Sequence, residues 1–107
     1  MGDGEGSPNF RLIPEADTCL CLTGELDAAA APALEAGLAL VEHHSDLVLD
    51  LSRLTFLDAA DVGVLVDTAG ALQEGDHLVL RSPRGIVRRV IDLLGLTEHP
   101  RIRVDEQ

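Results

Sequence analysis

The sequence predicts a mixed α/β domain: a mostly parallel sheet of four to five strands with helices, in the order β-β-α-β-α-β-α-β. Three observations predict it. Short runs rich in Leu, Val and Ile alternate with longer segments whose apolar residues recur at helical spacing. Asp, Ser and Pro stand before the helical segments, and Gly follows them. Finally, 107 residues, 46% hydrophobic and 25% charged, suffice for one core but not for two domains.

Residues 1–8, acidic and rich in Gly, read as a flexible leader, and 10–104 as the domain. Phe10 to Ile13 is a first strand ended by Pro14. Thr18 to Thr23 is a second, and the short polar link Glu15-Ala16-Asp17 makes the pair a hairpin. Asp27 is placed to N-cap an Ala-rich helix reaching about His43. Pro32 lies near its first turn, where a missing N–H costs little. Leu34, Leu38 and Val41 form its buried stripe.

Asp46 to Leu51 is a third strand, apolar enough for the centre of a parallel sheet. A short loop then leads to Asp58, the N-cap of a helix from about Ala59 to Glu74. Val62, Leu65, Val66, Ala69 and Leu72 are its inward stripe, and Gly75 stops it. His77 to Arg81 is a fourth strand. Ser82-Pro83 has the form of an N-cap with Pro at the first helical position. The helix that follows directs Val87, Val90, Ile91 and Leu94 inward and ends at Gly95-Leu96. Arg101 to Val104 is the last strand.

Charge and composition exclude several functions. All eight basic residues are Arg, against 19 acidic ones, a net charge of −11. So acidic a chain repels polyanions, so neither nucleic acid nor an anionic membrane is an expected partner. With no Trp or Tyr and only two Phe, base-stacking platforms and aromatic cages are nearly ruled out. No apolar run reaches the ~18–20 residues of a membrane span. With no export signal at its start, the chain is expected in the cytoplasm.

Few residues suggest chemistry. Cys19-Leu20-Cys21 is half a metal site at most, since there is no other Cys and the four His lack ligand spacing; apolar thiols on a strand face is the simpler reading. His43-His44 suits the carbonyl end of a helix. Asp50, taken as the carboxyl end of the third strand, stands where a phosphoacceptor receiver carries its aspartate. A receiver also needs an acidic cluster and a Lys, and this chain has no Lys, so that is the least favoured reading. Arg81, Arg84, Arg88 and Arg89 are the one basic concentration, either a solvated helix face or a patch for an acidic partner. No catalytic residue, cofactor or metal is expected.

The most informative stretch is Asp50 to Val64: strand, short loop, helix N-terminus. Asp58 can cap that N-terminus, and Asp61 stands three residues on, at the reciprocal position of a capping box. Phe56-Leu57-Asp58, Val62-Gly63, Thr23-Gly24-Glu25-Leu26-Asp27 and Ser82-Pro83 with Arg88-Arg89 and Leu94-Gly95-Leu96 occur in an order that resembles the STAS domain of bacterial anti-sigma factor antagonists. The resemblance covers about residues 10–104. It implies a protein-interaction module in transcription regulation rather than an enzyme, with an anti-sigma factor or related serine kinase as partner. It further implies that the hydroxyl after Asp58 is the phosphoacceptor. Here that position is Ala59, the next is Ala60, and the usual Gly is Asp61. Alanine has no oxygen to phosphorylate, so the phosphoacceptor position is vacant. Asp27, Asp58, Ala59, Ala60, Asp61 and Val62 are the expected partner-binding residues. Asp61 is read either as a fixed charge imitating phosphate or as a helix cap only. Other hydroxyls, Ser52 and Thr55 among them, stay open as phosphorylation sites. A subunit of a larger assembly, stressosome-like or associated with a lipid transporter, is the alternative. The oligomeric state is left open.

Overall fold

A computed structural model of the chain describes residues 9–41 and 45–106. The expected residues 1–8 leader and the His43-His44 reading lie outside them. Strands β1 (Phe10–Ala16) and β2 (Cys19–Leu26) form the antiparallel hairpin. A 3-10 turn over Ala28–Ala30 runs into helix α1 (Ala31–Ala39). Strand β3 (Leu47–Leu57), helix α2 (Ala59–Ala71), strand β4 (Leu78–Arg81), helix α3 (Gly85–Leu93) and strand β5 (Ile102–Asp105) follow.

The five strands stand in the order β1-β2-β3-β4-β5, parallel from β2 onward. Every crossover therefore steps one strand in the same direction. Right-handed crossovers that all step one way stack their helices on one face of the sheet. Burial follows that rule. Leu20 and Leu22 of β2, Leu47, Leu49 and Leu51 of β3, and Leu78 and Leu80 of β4 point into the core. There they meet Leu34 and Leu38 of α1, Leu65 and Ala69 of α2, and Val87 and Ile91 of α3. Each Leu, Val or Ile among them contributes about 1.5–3 kcal/mol by leaving water. The alternate residues Val48, Asp50, Val79 and Arg81 are only half-buried on the helix-free face. Among the described residues no helix is long and apolar enough to cross a membrane.

Some expectations need correction. Strand β3 runs on to Leu57, so no loop precedes Asp58, and Asp50 lies in mid-strand rather than at a strand end. The alternation slips at Ser52-Arg53, where the β2–β3 register shifts, and this hides the strand's second half in the sequence. Ser82 is not the cap of α3: Arg84 holds that position, with no side-chain hydrogen bond, and the helix begins at Gly85. The Ser82 N–H instead extends the sheet by donating to Asp105 O at 2.7 Å, and Ser82 takes φ 59°, a region few non-glycine residues occupy. Leu94 is 49% exposed rather than packed in the core, because α3 ends one residue before it. Gly95 does end the helix as expected, with φ 76°, and carries buried Leu96 behind it.

Candidate functional site: paired helix N-termini at the ends of β2 and β3

The register pairs Leu26 with Leu57, the last residues of β2 and β3. Asp27 and Asp58 thus leave the sheet side by side, Asp27 opening the 3-10 turn that runs into α1, whose own N-cap position is Ala30, and Asp58 opening α2. Asp27 Oδ1 accepts from Ala30 N at 3.0 Å, and Asp58 Oδ2 from Ala60 N at 3.0 Å. Both are N-caps with extended backbone. The Asp58 N–H donates to Leu26 O at 2.9 Å, which ties the two turns together.

Gly24 anchors the approach to this turn. Its φ is +90°, and a Cβ there would lie 2.1 Å from Asn9 O, so no other residue fits without moving backbone. Glu25 N donates to that same carbonyl at 2.8 Å.

On α2, Ala59, Ala60 and Gly63 face solvent as a smooth strip. Beside it Phe56, Ala59, Ile86, Val90, Leu93 and Leu94 line a shallow apolar hollow of about 290 Å³. Phe56 is 40% exposed and Leu93 75%. Sequence reasoning did not single out this hollow. Its signal was present in α3, whose apolar residues include Ile86 and Leu93 as well as the inward Val87 and Ile91, too wide a stripe for one core face.

Two of the expected contact residues lie beneath the surface. Val62 is 6% exposed and Asp61 0%. Asp61 does not complete a capping box, because the Asp58 N–H it would receive is already bonded to Leu26 O. Both Asp61 carboxylate oxygens are buried without a hydrogen-bond partner. Burial, then the nearby Asp58 and Asp27 carboxylates, push its pKa up to about 6, against a smaller downward pull from the nearby Asp58 and Asp61 backbone N–H groups.

The four arginines do not form one patch. Arg81 reaches across the helix-free face to Asp50 at 3.5 Å and Glu15 at 3.6 Å. Arg88 pairs with Asp92 at 3.1 Å and with Glu106. The mid-strand place of Asp50, hydrogen-bonded to Ser52 N at 2.9 Å, removes the geometry a receiver needs.

A sheet covered on one face, with two capped helices opening side by side at its parallel end, defines a STAS-type α/β domain. A family model described as "Mlab, STAS domain" matches residues 12–104, and the chain belongs to the STAS domain family. The structure is similar to the crystal structure of an anti-sigma factor antagonist from Mycobacterium paratuberculosis, with 30% identity and a TM-score of 0.69 over 94% of this chain and 88% of that one. It shares its fold with the Bacillus cell fate determinant SpoIIAA in the phosphorylated form, at 22% identity and a TM-score of 0.60, covering 89% of each chain. The unphosphorylated form of SpoIIAA matches at 22% identity and a TM-score of 0.57, over 78% of this chain and 82% of that one. No curated protein matches the chain in sequence.

Proposed function

We propose that this STAS domain is a cytoplasmic anti-sigma factor antagonist-like binding module whose partner is an anti-sigma factor or related serine kinase. It acts by association rather than catalysis. The contact surface is Asp27, Asp58, Ala59 and Ala60, flanked by the apolar hollow at Phe56 and Leu93, with Asp61 and Val62 supporting it from below. One observation carries the reading: an exposed methyl, Ala59, stands after the Asp58 cap where the resemblance expects a phosphoacceptor hydroxyl. A partner kinase cannot place its roughly −1.5 to −2 charge there, so the module stays available for binding. The buried Asp61 carboxylate offers a partner no direct contact, which favours permanent availability over imitation of a phosphate.

Calorimetric titration against a purified anti-sigma kinase, with and without Mg-ATP, tests this. The complex should survive ATP, and the intact mass of the chain should not change. Ala59→Glu should weaken binding by about tenfold or more, and Asp61→Gly by less than that. Release on adding ATP, with phosphate on Ser52 or Thr55, would overturn the reading. The match to a model described as an MlaB STAS domain favours, as a second reading, a subunit contact in a larger assembly through the same surface.

A further inference from the structure

The helix-free face of the sheet gathers a second set of functional groups. Cys21 of β2 pairs directly with Asp50 of β3, and Asp50 with Arg81 of β4, so these side chains form one cross-strand row. Glu15 joins from β1, where the register shifts between Pro14 and Ala16. A residue added at such a bulge re-aims its side chain. A Cys21 Sγ, a Glu15 carboxylate oxygen and an Asp50 carboxylate oxygen all lie within 4.8 Å of one another. Cys19 Sγ is 3.5 Å from Glu15 Oε1.

Both carboxylates of this group, with Cys19 beside them, already face a cation. Arg81 Nη2 sits 3.4 Å from Cys19 Sγ, 3.5 Å from Asp50 Oδ2 and 3.6 Å from Glu15 Oε1. The two carboxylate contacts are longer than the ~2.7–2.9 Å of a good charge-assisted bond. The Arg81 side chain is 33% exposed and has room to swing away. The focus is therefore built for positive charge and is filled loosely.

We propose that Glu15, Cys21 and Asp50 bind a thiophilic divalent cation of the zinc class, with solvent completing its shell, and that the ion displaces Arg81 from the two carboxylates. The donor set selects the metal. Thiolate with carboxylate suits a borderline-soft tetrahedral ion, whereas calcium and magnesium take oxygen alone. As the ion binds, the Cys21 thiol gives up its proton to solvent, and nothing is oxidised or reduced. The bound ion would tie β1 to β3 across β2 and so clamp the edge hairpin. The site is independent of the partner surface on α2.

The reduced, metal-free full chain should be titrated with Co²⁺, read by its thiolate charge-transfer absorbance, and with Zn²⁺ against a chromophoric chelator. One equivalent should bind. Cys21→Ser should abolish the charge-transfer band, and Glu15→Gln and Asp50→Asn should each weaken Zn²⁺ by about tenfold or more. Arg81→Ala should bind Zn²⁺ more tightly than the wild type. Circular dichroism of each variant separates lost donors from lost fold, and Glu15→Gln, on an exposed edge, keeps the test open if another variant unfolds. No saturable uptake, or uptake unchanged by Cys21→Ser and Glu15→Gln, would overturn the proposal.

Discussion

Asp50 and Asp61 are both aspartates drawn out of water, and they meet opposite surroundings. The Asp50 side chain is 19% exposed on the helix-free face. Burial works against its charge, but the Ser52 N–H and hydroxyl and the Arg81 guanidinium outweigh that and hold its pKa below the ordinary 3.8. Asp61 is wholly enclosed at the start of α2, has no hydrogen-bond partner of good geometry, and faces the Asp58 and Asp27 carboxylates, which with burial outweigh the nearby Asp58 and Asp61 N–H groups. Burial alone does not set the cost of a carboxylate; what it is buried against does. One aspartate strengthens the fold and the other strains it, close to two further aspartates that cap the 3-10 turn and α2.

The largest effect should come from removing the strained group. Asp61→Ala is expected to stabilise the domain at neutral pH by about 1–3 kcal/mol, the scale of a shift from 3.8 to about 6. Because the folded pKa is raised, the Asp61 contribution to stability is fully present below about pH 4 and is lost as pH rises through about 6. The gain from Asp61→Ala should therefore vanish in acid, and urea titrations at pH 4 and pH 8 check it. A loss of stability at pH 8 would mean that the carboxylate has partners after all.

Asp50→Ala should move the other way, costing about 1–2 kcal/mol through the unpaired Ser52 N–H and the loss of one of the Arg81 partners. Its folded pKa is lowered, so this contribution is present above pH 3.8 and is lost as pH falls below it. The same urea series measures it. If Asp50→Ala were neutral at pH 7, the contrast between the two aspartates would collapse.

A smaller effect sharpens the contrast. Asp58→Ala removes an N-cap and should cost about 0.5–2 kcal/mol. It also removes the charge closest in influence to Asp61, which offsets part of that cost. In an Asp61→Ala background the offset is gone, so Asp58→Ala should cost more there than in the wild type. A double-mutant cycle reads the coupling directly, and strict additivity would mean that the two carboxylates do not interact.

The element order was legible because one-sided burial leaves a plain signature. Leu47, Leu49 and Leu51 alternate with half-buried residues, and Asp27, Asp58 and Gly95 mark helix ends with residues suited to them. The second half of β3 was not legible, because the register shift at Ser52-Arg53 breaks the period. The state of Asp61 was hidden for a different reason. An acid three residues after a cap looks like a capping partner, and only the Leu26–Leu57 register shows that Leu26 O has taken the N–H it would need. The cluster on the helix-free face was beyond sequence spacing altogether. Glu15, Cys21 and Asp50 come from three strands, and only the pairing of those strands brings them together.

Carbon-13 NMR of the side-chain carboxyls tests the contrast most directly, with Asp61 assigned through Asp61→Ala. Followed from pH 2 to pH 9, the Asp61 signal should titrate with a midpoint near 6, while Asp50 should titrate below the ordinary 3.8. An Asp61 midpoint at or below 3.8 would show a carboxylate satisfied by donors, and would contradict the account.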